Sequence, residues 1–86
     1  MELIDFYADW CRPCQNYAVT IDQAKNELPD VTIRKVNVDT NEKLAAEHKV
    51  VVLPTTVLMK DGEVLWRGEG VLSLSDLMSV VQEFGG

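Results

Sequence analysis

Leu3 to Ala8 is apolar at every position except Asp5, and the stretch beyond it changes from an unbroken run to one apolar residue every three or four. A short continuous run of this kind suits a strand covered on both faces, as inside a parallel sheet. From Cys14 onward, Tyr17, Ala18, Ile21, Ala24 and Leu28 keep the spacing of a helix with one buried stripe. Leu28-Pro29-Asp30 ends that helix, because the residue before a proline is pushed out of the helical region. Val31 to Val38 is rich in β-branched residues and reads as a second strand. Strand, helix, strand with a crossover helix of this length predicts a parallel pair joined in the right-handed sense.

The rest of the chain has to complete that sheet. Asp39-Thr40-Asn41-Glu42 carries an oxygen cap and a first-turn glutamate, predicting a short helix to about Lys49 with Leu44, Ala45 and His48 on one side. His48, the only histidine, reads as a partly buried packing residue. Thr55 to Met59 and Glu63 to Gly68 are β-rich runs joined across Asp61-Gly62, a strong hairpin signal. The last helix is expected to open at Ser73, with Asp76 three residues on, Leu72 stapled to Leu77, and Leu74, Leu77, Val81 and Phe84 as its buried stripe. The order βαβαββα predicts an α/β fold with a four-stranded mixed sheet and helices on both faces. Residues 1–86 are too few for two domains, since such a chain buries only roughly two-thirds of its unfolded surface.

Charge and composition narrow the partners. Eight basic against 14 acidic side chains give a net charge of −6, and the longest basic cluster is Arg34-Lys35, so nucleic acid is not an expected partner. No apolar run approaches the ~18 residues that span a bilayer, so no membrane partner is expected either. Met1 and Glu2 lead straight into Leu3 without a signal-like segment, and the expectation is a cytoplasmic monomer.

Both cysteines lie in Cys11-Arg12-Pro13-Cys14, so a disulfide between them closes a very short loop. Such a bridge contributes on the order of 2 kcal/mol in the chain-entropy model, little for a staple, and the pair reads as chemical. Cys11 falls where the first strand gives way to the helix, where free N–H groups and the helix dipole stabilise a thiolate; it is the expected nucleophile. Cys14, one turn further and directed into the domain, is the expected resolving thiol. Pro13 fits a first turn whose N–H groups have no intrahelical partner. The competing reading, half of a zinc site, lacks a second cysteine pair, and no metal is expected.

Asp5 is the second anomaly. A carboxylate within an apolar strand is unfavourable unless paired or protonated, so its pKa is expected to be raised. Feeding the cysteine loop from below, it is a candidate to exchange the Cys14 proton during the resolving step. The plainer alternative is an edge position with the side chain in water. Lys35, on the second strand, either tunes Asp5 or is a solvent-facing edge lysine.

Asp5-Phe6-Tyr7-Ala8-Asp9-Trp10-Cys11-Arg12-Pro13-Cys14 closely resembles the active-site segment of thioredoxins, and Leu53-Pro54-Thr55 resembles their cis-proline segment. The likeness continues through Val36-Asn37-Val38-Asp39, Lys60-Asp61-Gly62-Glu63-Val64 and Gly70, across practically the whole chain. It implies a thioredoxin-like fold and a thiol-disulfide oxidoreductase that reduces protein disulfides, with Cys11 attacking, Cys14 resolving and Asp5 as the buried proton-transfer carboxylate. It further implies that Trp10 shields the sulfurs, that Pro54 is cis with the Leu53 backbone free to pair with an extended substrate, and that Val52, Leu53 and Gly70 form an apolar rim, with Arg12 and Pro13 beside them. At least one of Val50 to Leu53 is expected to be plain core. No external cofactor is implied beyond the Cys11–Cys14 pair. The partners would be disulfide-containing proteins and a thioredoxin reductase or equivalent electron donor.

The sequence also departs from the usual pattern. The first strand and helix of a typical thioredoxin have no counterpart here, so the second strand should be a sheet edge, where Arg34 and Lys35 discourage pairing. Arg12 replaces the common glycine, a cation expected to favour the Cys11 thiolate and make the disulfide more oxidising. Val19 stands in place of a kinking proline, so the first helix should run straighter, and Gln15 replaces a common lysine. Against the leading reading stand a glutaredoxin-like reductase using glutathione, an oxidase or isomerase, and a module that binds without turnover. Arg12-Pro13 and Gly68-Glu69-Gly70 do not match the tyrosine and Gly-Gly-x-Asp features of glutaredoxins.

Overall fold

The most apolar segment of the chain takes the most enclosed position. In the computed structural model, which describes residues 1–85, β1 (Glu2–Tyr7) is flanked on one side by β2 (Thr32–Asn37) in parallel and on the other by β3 (Thr55–Lys60) in antiparallel pairing. β4 (Glu63–Glu69) closes the sheet, giving the order β2-β1-β3-β4. Each strand is within two residues of its expected span at either end.

The alternation of β1 divides the core in two. Leu3 packs with Tyr17, Ile21 and Ala24 of α1 (Arg12–Glu27), Leu58 of β3 and Leu77 of α3 (Leu74–Val80). Ile4 and Phe6 point the other way, to Val36, Val57 and Ala45 of α2 (Glu42–Glu47). Helices therefore cover both faces, two on one and the six-residue α2 on the other. Full burial of side chains this size contributes about 1.5–3 kcal/mol each, so β1 anchors both layers.

Turn chemistry sets the joints. Asp61 (φ 52°) and Gly62 (φ 83°) both occupy the left-handed region, the geometry that matches the twist of a two-residue hairpin. α1 ends at Leu28, whose N–H still bonds the Ala24 carbonyl at 2.9 Å before Pro29 stops the ladder. At Asn41 the expected oxygen cap is not made: the side-chain amide instead donates to the Asn37 carbonyl at 2.9 Å. The His48 ring lies 5.2 Å from that of Phe6, half-buried. Arg67 of β4 donates to the His48 and Lys49 carbonyls and so ties the end of α2 to the hairpin.

The C-terminal stripe needs one correction. Leu77 and Val81 are buried and Leu72 and Leu74 pack against the same cluster, but Phe84 is exposed. Val81–Gly85 form a π-helical turn, which winds fewer degrees per residue than an α-helix and carries Phe84 off the expected stripe. β2 is an edge strand, as expected, with Arg34 within 3.7 Å of Glu2. Among the described residues no helix is long and apolar enough to cross a membrane.

Candidate active site

The tight exit from β1 brings the two sulfurs together. Cys11 N–H bonds the Ala8 carbonyl at 3.2 Å, a turn that drops the chain onto the start of α1. Cys11 is the N-cap: its backbone is extended, and its Sγ accepts from the Cys14 N–H at 3.3 Å. Pro13 occupies the first turn, where a missing N–H removes no helical bond. Cys11 and Cys14 form a disulfide with Cα atoms 5.2 Å apart, and both are nearly inaccessible. No acidic residue stands in this first turn, so the dipole acts on the sulfurs without a competing carboxylate. The Gln15 amide donates to the Asp9 carbonyl at 2.9 Å, closing the loop from the outside.

An open groove of about 480 Å³ runs beside Cys11, walled by Trp10, Arg12 and Pro13 on one side and Val38, Val50, Val51 and Leu53 on the other. Trp10 is 70% exposed, and its indole N–H donates to an Asp39 carboxylate oxygen at 2.9 Å. The Leu53-Pro54 peptide is cis, and the Pro54 carbonyl accepts from Gly70 N–H at 2.8 Å, with Gly70 at φ 92°. Pro54 is buried and Val52 exposed, while Val50 and Leu53 are half-buried and pack on the second core cluster. Val52, Pro54 and Gly70 lie outside the groove wall itself. Val51 and Asp39, which sequence reasoning did not single out, contribute to it directly or through Trp10. The available signals were the continuous apolar run Val50-Val51-Val52-Leu53 that ends at Pro54, and the spacing of Asn37 and Asp39, whose N–H bonds the Asn37 side chain at 2.9 Å.

Asp5 is in the interior of the sheet, 1% exposed, which removes the edge-position alternative. Its Oδ1 is buried without a hydrogen-bond partner. Burial pushes its carboxyl up from the usual 3.8 to about 6, with the Lys35 ammonium pulling in the other direction. Lys35 is the β2 register partner of Asp5 but makes no ion pair with it; the lysine is exposed and its Nζ lies 5.3 Å from the centre of the Tyr7 ring. The two readings of Lys35 therefore coexist, an edge lysine that acts on Asp5 through its field. Tyr17, one turn after Cys14, is fully buried, and its hydroxyl is 2.8 Å from Thr56 Oγ1. Burial pushes the Tyr17 phenol up to about 12, its bond to Thr56 opposing and the Asp5 charge adding to the rise. Among the described residues no group of three or more His, Cys, Asp or Glu is placed to hold a metal.

The family model described as thioredoxin matches residues 1–83. Among curated proteins, thioredoxin of Chlamydia trachomatis serovar D is 36% identical over 81 residues, covering 94% of this chain and 79% of the relative. Thioredoxin of Mycobacterium tuberculosis strain H37Rv is 38% identical over 77 residues, covering 88% of this chain and 66% of the relative. Among solved structures, Fasciola hepatica thioredoxin superimposes with a TM-score of 0.90 at 36% identity, covering 96% of this chain and 79% of that one.

Proposed function

The chain belongs to the thioredoxin family and is a thiol-disulfide oxidoreductase, and from this premise we propose that Cys11 attacks, Cys14 resolves and Asp5 moves the proton. The observation that carries the assignment is the capping arrangement: the sulfur of Cys11 takes the N-cap position of α1 and accepts the Cys14 N–H. A thiolate there is stabilised by the dipole and by that donor.

In the forward step the Cys11 thiolate attacks one sulfur of a substrate disulfide. A Cys11–substrate bond forms, the substrate S–S bond breaks, and the second substrate sulfur leaves as a thiolate. Cys14 then attacks Cys11 Sγ, forming the internal disulfide and releasing the first substrate sulfur, while the Cys14 proton passes to the Asp5 carboxylate. The substrate gains two electrons and the protein loses them; the two substrate thiolates take their protons from water, and Asp5 later returns the Cys14 proton to water. A two-electron donor, a thioredoxin reductase or an equivalent, restores the dithiol. Trp10, Arg12, Pro13, Leu53 and the adjoining Val52, Pro54 and Gly70 supply the surface on which an extended substrate segment lies. Lys35 adjusts the proton affinity of Asp5 from the sheet edge. The protein works as a cytoplasmic monomer and as an electron carrier between that donor and disulfide-containing proteins.

The test is reduction of a disulfide-bonded protein with dithiothreitol as donor. The unsubstituted chain turns over, Cys11→Ser does not, and Cys14→Ser accumulates a mixed disulfide with the substrate. Reductase activity that survives Cys11→Ser would sink the assignment. The glutathione-dependent alternative is not favoured, and turnover with glutathione compared with a thioredoxin reductase measures it directly.

A further inference from the structure

Asp5 and Thr56 are register partners across β1 and β3, and so stand on the same face of the sheet. That face meets α1, where Tyr17 reaches Thr56. Three polar side chains thus meet in a fully enclosed space, and the pairing within them is uneven. The Thr56 and Tyr17 oxygens are bonded to each other, while Asp5 Oδ1 has no partner. Directly paired cross-strand residues have Cβ atoms about 4.5–5.5 Å apart, so a rotation of Thr56 about χ1 would bring its hydroxyl within reach of the carboxyl.

We propose that Tyr17 is a positioning residue for the proton of Asp5: by holding the Thr56 hydroxyl, it withholds from Asp5 the donor that would otherwise stabilise the carboxylate. The inference rests on the reading of Asp5 as the proton-transfer group, and gives that reading a structural cause. A carboxylate that accepted Thr56 would lose proton affinity and become a weaker base for the Cys14 thiol. Tyr17 is placed to prevent this because it sits one helical turn after Cys14 on the buried stripe of α1. The other charged group acting on Asp5 is Lys35 from β2, and β3 presents the uncharged Thr56; Cys14 is held in the disulfide and does not titrate there.

The experiment follows the Asp5 carboxyl by carbon NMR in the disulfide form, where neither cysteine titrates. Tyr17→Phe keeps the ring that fills the core, removes the hydroxyl and frees Thr56. Its Asp5 midpoint should fall by about one pH unit, the size of one hydrogen bond to a carboxylate. Tyr17→Phe combined with Thr56→Val has no donor left, and its midpoint should return to the unsubstituted value or above. In the unsubstituted protein the three-bond couplings of Thr56 should report one rotamer on both sides of the Asp5 midpoint. An unchanged or raised midpoint in Tyr17→Phe, the same fall in the double variant, or a Thr56 rotamer that switches when Asp5 ionises overturns the proposal. The pH profile of mixed-disulfide resolution separates the two layers. A midpoint that moves by NMR while the rate profile stays fixed leaves the Tyr17 role standing and removes Asp5 from the proton transfer.

Discussion

α1 and α3 begin with the same backbone device carrying different atoms. Both N-cap residues are extended, and in both the side chain accepts the N–H three residues on: Cys14 to Cys11 Sγ at 3.3 Å, Asp76 to Ser73 Oγ at 3.1 Å. At α3 the cap is a hydroxyl and the third residue an acidic side chain that faces water, the residue type that a helix N-terminus favours. At α1 the cap and the third residue are both sulfurs, no acid shares the turn, and the dipole acts on a group that can gain or lose charge. The spacing that makes a cap makes a redox pair when cysteine fills both ends of it. The buried carboxylate on the α1 side of the sheet is instead Asp5, whose burial raises its affinity for a proton.

Substitutions can break this contrast in steps. Cys11→Ser turns the α1 start into a copy of the α3 cap; it should abolish disulfide reduction while the melting transition of the reduced protein moves little. Removing the buried carboxylate comes next. Asp5 binds its proton more tightly in the fold, near 6, than at its usual 3.8, so its contribution is fully favourable below about pH 4 and is lost as pH rises through 6. Asp5→Asn should flatten that dependence in denaturant titrations and raise stability at pH 7 by up to on the order of 3 kcal/mol, while slowing resolution of the mixed disulfide. A variant that keeps the pH dependence would place its origin elsewhere. At the other helix, Ser73→Ala should lose about 1 kcal/mol by chemical denaturation and leave reductase turnover unchanged. The smallest effect comes from giving α1 an acidic first turn like that of α3. Arg12→Glu should raise the Cys11 pKa, read by the pH dependence of alkylation, with an interaction worth about 0.3–1 kcal/mol, and make the disulfide less oxidising.

Local chemistry made most of the fold legible. The β1 run, the α1 stripe, the Asp61-Gly62 turn and the Ser73 cap each act through near neighbours, and each is where its residues place it. The cysteine pair was legible for the same reason, since its spacing is a helix turn. What escaped depends on contacts distant in sequence. Asn41 bonds back to Asn37 and leaves its helix uncapped, and Phe84 turns outward because a wider turn intervenes after Val80. The Tyr17–Thr56 pair joins residues 39 positions apart, and nothing in either segment announces the other. Asp39 holds Trp10 across 29 positions in the same way.

Because β1 has a hydrogen-bonded neighbour along both edges, its amides can exchange with solvent only when the sheet itself opens. The outer amides of β2 have no such protection. The molecule is therefore expected to have a slow centre and a fast margin on the hydrogen-exchange timescale, and the reactive loop is attached to the slow part. The chemistry at Cys11 takes place beside a strand that loosens only in rare openings, so the two sulfurs meet each substrate on a foundation that stays fixed from one encounter to the next.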